Sequence, residues 1–335
     1  MRSRPPAVSL WKRLALPAAW VALFFCSGPS GCSERIDLPP EPETPGGTGE
    51  IAYDVQYRWQ EVPRFVDMVL TSGILYVIED SLFVHAYLSE KATPVTNSFS
   101  FPDSIVAGGV RLERPVQLAA GPAKTLWIAF ERPDRRLVQF RIASPPQPTG
   151  LWVRDEAFQE FGGIAADDDS GFVYVADPVA STVVKYAPTE SGGARVAVLA
   201  TLGDGDHFVQ KPRGIHCFGD SLVLVDPQKN WLQVLAADVP FAGRGQVQGP
   251  ESARLALHAP VDVWTDAEGR YYVAQQSQVL QIRPDGTIKE VVTERDALAA
   301  AMPAAVVANT TQVWVADPGS QLCTIYKINT VIEEP

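Results

Sequence analysis

Three histidines and one acidic run are the residues in this sequence that could support metal chemistry. His207, His216 and His258 carry the imidazole nitrogens that zinc prefers, and a catalytic zinc needs about three protein ligands and an open position. The aspartates at 167–169 offer oxygen ligands, of which Ca²⁺ takes roughly six to eight. We predict no resident cofactor from these patterns. If these residues bind a metal, their ligand types favour Zn²⁺ or Ca²⁺.

Each of these features also has a purely structural interpretation. Neighbouring side chains on a strand point to opposite faces, so the aspartates at 167–169 would diverge, and Ser170-Gly171 after them favours a hairpin turn. His207 lies in a glycine-rich linker, which leaves His216 and His258 without a convincing third ligand. The acidic run is therefore predicted to be a turn.

Catalytic signatures and basic surfaces are both missing from the sequence. No G-x-S-x-G, H-E-x-x-H, paired C-x-x-C or phosphate-loop motif appears, so no enzymatic activity is indicated by motif. The net charge is −11, and residues 1–32 hold four basic residues and no acid. The remaining 24 basic and 39 acidic residues give −15, a charge that repels phosphate backbones and excludes nucleic acid as a partner.

A motif repeated six times supplies the elements that would position these residues. Each copy has a Pro (Phe in the third copy), an aliphatic residue three positions later, and an apolar strand that ends 13–15 residues after the Pro. The copies start at Pro63, Pro115, Phe161, Pro212, Pro260 and Pro303, at spacings of 52, 46, 51, 48 and 43 residues. Short β-branched and aromatic strands at a period of about 40–50 residues are typical of four-stranded propeller blades.

We therefore predict an all-β fold, a six-bladed β-propeller of four-stranded blades spanning residues 51–335. Only residues 329–335 follow the last clear strand, too few for another hairpin. Residues 53–59 alternate apolar and polar side chains, as a half-buried strand does. This N-terminal strand is predicted to join the last blade, which closes the ring and removes an open sheet edge.

The N-terminus is predicted to be an export signal. A basic start is followed by an apolar stretch at 14–25, shorter than the ~20 residues of a membrane-spanning helix, and then by small residues. Ser30-Gly31-Cys32 resembles the end of a bacterial lipobox, which implies a lipoprotein-type signal peptide over 1–32 and lipidation, palmitate included, at Cys32. A plain secreted protein and an uncleaved anchor are the alternatives.

The segment that follows is predicted to be a disordered tether. Residues 33–50 hold four prolines, three glycines and four glutamates, with almost nothing to bury. Ser33 is not the retention-type Asp, so the lipobox resemblance implies the outer membrane. We expect a lipid-anchored protein of the cell envelope that touches the membrane only through its N-terminal lipid, facing either the periplasm or the cell surface.

Two linkers between the repeats resemble those of the NHL-repeat family of six-bladed β-propellers. The segment LGDGDHFVQKPRGI at 202–215 has the family's glycine-rich run before Pro-x-Gly-Ile, and 242–266 resembles its longer form. VADP at 175–178, VDP at 225–227 and VADP at 315–318 match the Asp that the family places after the second strand. We interpret these aspartates as structural acceptors for the amides of tight turns.

The predicted function is non-catalytic binding or scaffolding, with an envelope protein, a peptide or a glycan as partner. Contacts are expected from the inter-blade loops at 102–114, 155–163, 203–213, 242–260 and 294–303. The NHL resemblance implies an alternative, a metal-dependent lyase or lactonase with its site at the central channel, where His207, His216 and His258 are the candidate ligands. Cys217 and Cys323 lie in different repeats and are predicted to be buried free thiols rather than a disulfide.

Overall fold

The structure is a computed structural model, and strands and turns make up everything it describes. The described residues are 51–59, 65–81, 83–89, 93–94, 99–100, 106–107, 109–143, 146–204, 207–238, 240, 243–247, 257–276, 278–283, 288–292, 303–318 and 322–330. The predicted signal peptide at 1–32 and the tether at 33–50 lie outside them. No helix in the described ranges has the length and apolar character needed to cross a membrane.

The strands are short and follow one another through tight turns, as the β-branched and aromatic runs predict. In chain order they are β1 (Ile51–Trp59), β2 (Phe65–Thr71), β3 (Ile74–Glu79), β4 (Phe83–Leu88), β5 (Thr93–Pro94), β6 (Phe99–Ser100), β7 (Val106–Ala107), β8 (Val110–Arg111), β9 (Glu113–Gly121), β10 (Thr125–Arg132), β11 (Arg136–Arg141), β12 (Gln147–Arg154), β13 (Gly163–Ala166) and β14 (Val173–Asp177). The chain continues through β15 (Thr182–Ala187), β16 (Ala194–Leu202), β17 (Phe208–Val209), β18 (Ile215–Phe218), β19 (Ser221–Asp226), β20 (Trp231–Ala236), β21 (Gly243–Val247), β22 (Pro260–Thr265), β23 (Tyr271–Gln275), β24 (Gln278–Ile282), β25 (Ile288–Val292), β26 (Ala305–Ala308), β27 (Gln312–Asp317) and β28 (Leu322–Thr330).

These strands form a series of antiparallel sheets, mostly four-stranded, in which neighbours in sequence are neighbours in space. The sheet orders are β2-β3-β4-β5 with β6 also on β4, β9-β10-β11-β12, β13-β14-β15-β16-β17, β18-β19-β20-β21, β22-β23-β24-β25 and β26-β27-β28-β1. Strands β7 and β8 form a separate pair, and β17 pairs in parallel with β16. The predicted all-β class and four-stranded units are confirmed.

The first and last described strands of the chain lie side by side. β1 pairs antiparallel with β28 along its whole length, from Ile51 opposite Thr330 to Trp59 opposite Cys323, with one register shift between Val55 and Tyr57. β1 therefore completes the sheet that begins with β26, which is the pairing expected from the alternating pattern of residues 53–59.

The core lies between the sheets. Each of six apolar clusters combines buried side chains from two sheets, and one of them joins the sheet of β2 to the sheet of β26. The second strand of five sheets contributes an aromatic side chain that is at most 1% exposed, namely Tyr76, Trp127, Tyr174, Tyr272 and Trp314. Burial of such large apolar areas is the main stabilising contribution to the fold.

Two of the strand-end aspartates, Asp177 and Asp226, accept hydrogen bonds from backbone amides, as predicted. Asp226 is fully buried and accepts from the amides of Gln210, Lys211, Gln228 and Lys229 at 2.6–3.3 Å. One carboxylate thus fixes both its own turn and the linker into its sheet.

The same arrangement recurs at two other strand ends. Asp177 accepts from the amides of Gln159, Glu160, Val179 and Ala180. Where the repeat has Gln275 instead, its Oε1 accepts from the amide of His258 at 2.9 Å, so the amide side chain replaces part of the role of the acid. Asp317 is buried at the corresponding end of β27.

One of the two cysteines of the folded part is described in full. Cys217 on β18 carries a free thiol, as predicted, but it is partly exposed rather than buried. Desolvation of the partly buried sulfur, together with the nearby carboxylates Asp167 and Asp168, raises the pKa of this thiol to about 12, so it is protonated and unreactive at neutral pH. The side chain of Cys323 lies outside the described residues.

Candidate functional site: a central acidic cavity

A cavity of about 450 Å³ lies among the first strands of five sheets. Its walls are β2, β9, β13, β18 and β22, together with the turns that follow four of these strands. This volume is within the range of small-molecule pockets, roughly 300–1,000 Å³. Of the inter-blade loops predicted to make contacts, only Gly163 at the end of 155–163 lines it, so the described part of the cavity is built from strands and hairpin turns instead.

The described cavity lining is rich in acids and lacks Lys and Arg. Six aspartates line it, Asp67, Asp167, Asp168, Asp169, Asp262 and Asp266, and the described lining contains no Lys or Arg. Asp266 forms an ion pair with Arg270, whose Nε donates a hydrogen bond to Asp266 Oδ2 at 2.6 Å. The cavity therefore presents a negative potential to whatever enters it.

Asp67 and Asp262 lie within β2 and β22, whereas the other four aspartates lie in the turns after β13 and β22. Asp67 is 8% exposed, and its Oδ2 accepts a hydrogen bond from the amide of Leu118 on the next sheet at 2.6 Å. Asp262 Oδ2 accepts from the amide of Val306, also on the next sheet, at 2.8 Å. Neither carboxylate has an ion-pair partner within the described parts of the chain.

The surroundings of these two carboxyls favour their protonated forms. Burial raises the pKa of Asp262 to about 7. Burial, and repulsion by Asp262, raise the pKa of Asp67 well above its ordinary value. The backbone amides that donate to each carboxylate act in the opposite direction but do not cancel the desolvation. A positive group between the two acids would remove this penalty, because it favours both ionised forms.

His216 and Trp264 form an aromatic pair on neighbouring strands of the cavity. Their rings stack with centroids 4.1 Å apart and an angle of 29° between the planes. His216 Nδ1 accepts a hydrogen bond from the amide of Thr265 at 3.2 Å, and burial lowers the pKa of the ring to about 4. The imidazole is thus neutral at pH 7 and adds no positive charge to the cavity.

Trp264 and Thr265 complete the wall on β22. Trp264 packs against three of the apolar clusters, which places it where several sheets meet. Thr265 lines the cavity and is 3% exposed, and its Oγ1 has no hydrogen-bond partner among the described residues. A buried hydroxyl without a partner costs about 1–3 kcal/mol.

The acidic run at 167–169 is a hairpin turn, as its structural interpretation predicted. The carboxylate of Asp167 accepts from the amides of Asp169 and Ser170 and from the Ser170 hydroxyl. These hydrogen bonds hold the turn between β13 and β14, and the side chains of Asp168 and Asp169 are left exposed at the cavity mouth.

The three candidate histidines lie in different places. His216 lines the cavity, whereas His207 packs against the ring of Phe208 at the start of β17 and His258 is exposed before β22. Across the described residues, no group of three or more His, Cys, Asp or Glu side chains has the geometry to hold a metal ion. The structure therefore brings only one of these histidines to the centre.

Sequence reasoning missed the two acids and the tryptophan of the cavity. Asp67, His216 and Trp264 all lie four residues after the repeat's Pro, and Asp262 lies two residues after it. At the position four residues after the Pro the other three copies have Ala119, Ala165 and Val307, so a polar or aromatic residue there was the available signal for Asp67, His216 and Trp264. Metal-ligand spacing along the chain does not reveal this position, whereas alignment of the repeats with one another does.

Comparison with known proteins finds no matching family model and no matching curated protein. Solved structures do match. A structural genomics protein of unknown function from Bacteroides thetaiotaomicron has a TM-score of 0.59 at 11% identity, over 84% of this chain and 77% of that one. Virginiamycin B lyase from Staphylococcus aureus has a TM-score of 0.55 at 9% identity, over 84% and 100%. A chain of a nidogen/laminin complex has 0.52 at 16% identity, over 70% and 84%.

The lyase and the Bacteroides protein are propellers, and the repeated antiparallel sheets of this chain match that architecture. The fold is a β-propeller. At these identities the likeness concerns the fold alone, and unrelated functions share this propeller scaffold. The NHL-repeat likeness within the fold stays a prediction. What the propeller can do must be argued from its cavity.

Proposed function

We propose that this protein is a lipid-anchored lipoprotein of the cell envelope, in the outer membrane, whose propeller is a non-catalytic binding module. Lipidated Cys32 is its only membrane contact, and residues 33–50 are a flexible tether. The propeller has six blades in a closed ring, and its partner is an envelope protein, a peptide or a glycan. The cavity among the inner strands is the observation that carries the binding function.

The contacts between inner strands support a closed ring of six blades. β2 contacts β9, and the series continues through β13, β18, β22 and β26, which contacts β2 again. The pairing of β1 with β28 would then tie the two ends of the chain into one blade. Deleting residues 51–59 leaves β28 as an open edge, so we expect a lower melting temperature and aggregation. Deleting residues 41–49, a segment of equal length in the tether, is the control and leaves both unchanged.

The chemistry of the cavity supports binding rather than catalysis. Its thiol, Cys217, is held protonated, and its imidazole, His216, is neutral with Nδ1 already bonded to a backbone amide. A nucleophile needs an adjacent base within hydrogen-bond reach, and no such pair lies among the described residues of the lining. Carboxyls, a neutral ring and an indole instead suit recognition of a polar ligand.

Binding and turnover are separated by one experiment on the full-length protein, extracted in detergent. Envelope glycans and peptides are screened by calorimetry, and each binder is incubated with the protein for hours and then examined by mass spectrometry. The proposed function requires saturable binding with the ligand recovered intact. Conversion of the ligand to a product overturns it.

The lipid anchor has its own test with a matched control. Cells are fed an alkyne analogue of palmitate, and the protein is isolated from Cys32→Ala and Cys26→Ala variants. We expect the label to disappear from the first variant and to persist in the second, because Phe25 before Cys26 does not fit signal cleavage whereas Gly31 does. Label on both variants would contradict lipidation at Cys32.

A metal-dependent lyase is the second candidate function, favoured by the likeness to virginiamycin B lyase and by the presence of His216 in the cavity. Elemental analysis of the purified protein before and after chelation decides it. About one Zn²⁺ or Ca²⁺ per chain, lost in a His216→Ala variant, would support this candidate. Metal that stays in the variant, or none at all, would count against a metal centre at His216.

A further inference from the structure

We propose that the central cavity binds its ligand through a primary ammonium group, held between Asp67 and Asp262 beside Trp264. This inference rests on the proposed binding function and names the chemical class that the cavity selects. The ammonium group belongs either to a small free amine or to a lysine side chain or N-terminus of a peptide.

The charge balance of the cavity favours a positively charged ligand. Among the described lining residues there are six aspartates, no Lys or Arg, and one histidine, His216, which is neutral at pH 7. Asp266 has its counter-charge in Arg270, but Asp67 and Asp262 have none within the described residues. An acid in such surroundings without a counter-charge favours its protonated form, and a bound cation is the kind of partner that would allow these two to ionise.

The two acids have hydrogen-bond acceptor positions that suit a ligand with several donors. Each carboxylate uses Oδ2 to accept an amide from the neighbouring sheet, which fixes its orientation. An ionised carboxylate has about four acceptor positions. The inter-sheet amide and the amide of the following residue donate to each carboxylate, and both carboxylates still have unfilled acceptor positions. An ammonium group has three donors and no acceptor, and can therefore bridge the two acids.

The remaining wall suits an organic cation. The Trp264 indole offers an aromatic surface, and cations are attracted to such rings by roughly 0.5–2 kcal/mol. The buried Thr265 hydroxyl, which lacks a partner among the described residues, belongs to the same wall. An inorganic cation fits less well, because the described residues hold no group of three ligands for a metal.

The direct test uses benzylamine and benzyl alcohol, which share a ring and differ in charge. Binding to the full-length protein is measured by calorimetry at pH 8 and low salt. We expect benzylamine to bind at least tenfold more tightly than the alcohol. Asp67→Asn and Asp262→Asn each weaken benzylamine roughly tenfold to hundredfold and leave the alcohol unchanged, as expected for loss of a charge-assisted hydrogen bond.

The variants keep their structural role, since the Asn carbonyl still accepts the inter-sheet amide. Thermal unfolding of each variant verifies that it is folded. Glu156→Gln makes the same change of charge at an exposed side chain outside the cavity, and it leaves benzylamine affinity unchanged.

Proton release gives a second readout. Binding of an ammonium group favours the ionised acids, so benzylamine binding at pH 7 should release protons, seen as a dependence of the heat on the ionisation enthalpy of the buffer. Asp262→Asn reduces the number released. A heat that does not depend on the buffer would contradict ammonium recognition at these acids.

Two further probes distinguish the sources of the ammonium group. A lysine tripeptide with blocked ends that binds more tightly than n-butylamine, and loses that affinity in Asp262→Asn, identifies a peptide. The reverse order identifies a small free amine.

The outcomes also separate this inference from the proposed function. Equal affinity for benzylamine and benzyl alcohol, or no effect of either Asn variant, overturns ammonium recognition while a glycan or protein partner can still bind. Turnover of a bound ligand overturns the proposed non-catalytic function. Ammonium recognition is tested separately, by comparing the affinities for benzylamine and benzyl alcohol.

Discussion

His216 Nδ1 accepts a hydrogen bond from the backbone amide of Thr265 on the neighbouring sheet, at 3.2 Å. Asp67 and Asp262 make the same kind of contact to amides of the next inner strand. An inner strand has one edge with no further strand to pair, and its amides there need acceptors. These three side chains therefore join successive sheets at the centre of the propeller.

Removing the imidazole acceptor should destabilise the protein. His216→Leu leaves the Thr265 amide without an acceptor and removes the stacking on Trp264, so we expect a loss of about 1–3 kcal/mol in the free energy of unfolding. Urea titration at pH 7.5 measures it. His258→Leu is the matched control at an exposed position, with an expected change below about 0.5 kcal/mol.

The cost of His216→Leu should shrink as the pH falls. Burial lowers the pKa of His216 to about 4 in the folded protein, against about 6.5 when it is unfolded. Between these values the unfolded chain binds the proton and the folded protein does not, so the wild type loses stability as the pH drops, by at most about 3 kcal/mol. Unfolding at pH 7.5 and 4.5 measures this, and an equal cost at both values would contradict a neutral buried imidazole.

Asp262→Asn should stabilise the protein increasingly as the pH rises. The pKa of Asp262 is about 7 in the folded protein, against about 3.9 when it is unfolded, so the folded state holds the proton longer. The wild type therefore loses up to about 4 kcal/mol between pH 4 and pH 7, and the variant does not. Melting temperatures at pH 4 and pH 8 test the prediction, with Glu156→Gln as the exposed control. A constant difference across this range would show that Asp262 ionises normally.

Asp226→Ala should be among the most destabilising single changes. Four backbone amides lose their acceptor, two in the turn after β19 and two in the linker before β18. We expect a loss of about 3 kcal/mol or more, since each buried amide left without a partner is costly. Chemical denaturation measures it against Glu156→Ala, which should be near neutral. A small loss would mean that water or a rearranged turn replaces the carboxylate.

Gly214→Ala should strain the contact between two inner strands. A Cβ at this position would lie 2.5 Å from Asp262 Cα and 2.9 Å from the Val263 amide nitrogen, both backbone atoms that cannot move aside alone. We expect a loss of roughly 2–4 kcal/mol in unfolding free energy. Gly219→Ala is the control, because its φ is +56° with nothing within 4 Å, and it should cost only about 1–2 kcal/mol of backbone strain.

The repeat could be read from the chain because its determinants are local. Strand-forming runs, turn residues and the Pro with its aliphatic partner recur in phase, and each needs only its near neighbours to act. The role of Asp177 and Asp226 was equally local, since a short acid at a strand end meets the amides of its own turn. The alternation at 53–59 predicted a strand, and the structure pairs that strand with β28.

The candidate site could not be read in this way. Asp67 and Asp262 lie 195 residues apart, and they interact only because the inner strands of separate sheets face one cavity. The same geometry leaves His207 and His258 away from the centre and brings His216 onto Trp264. The sequence by itself determined the strands, the turns and the sheet order, since these depend on contacts between neighbouring segments. Tertiary structure alone decided which side chains meet, because burial and charge at the centre are properties of several sheets together.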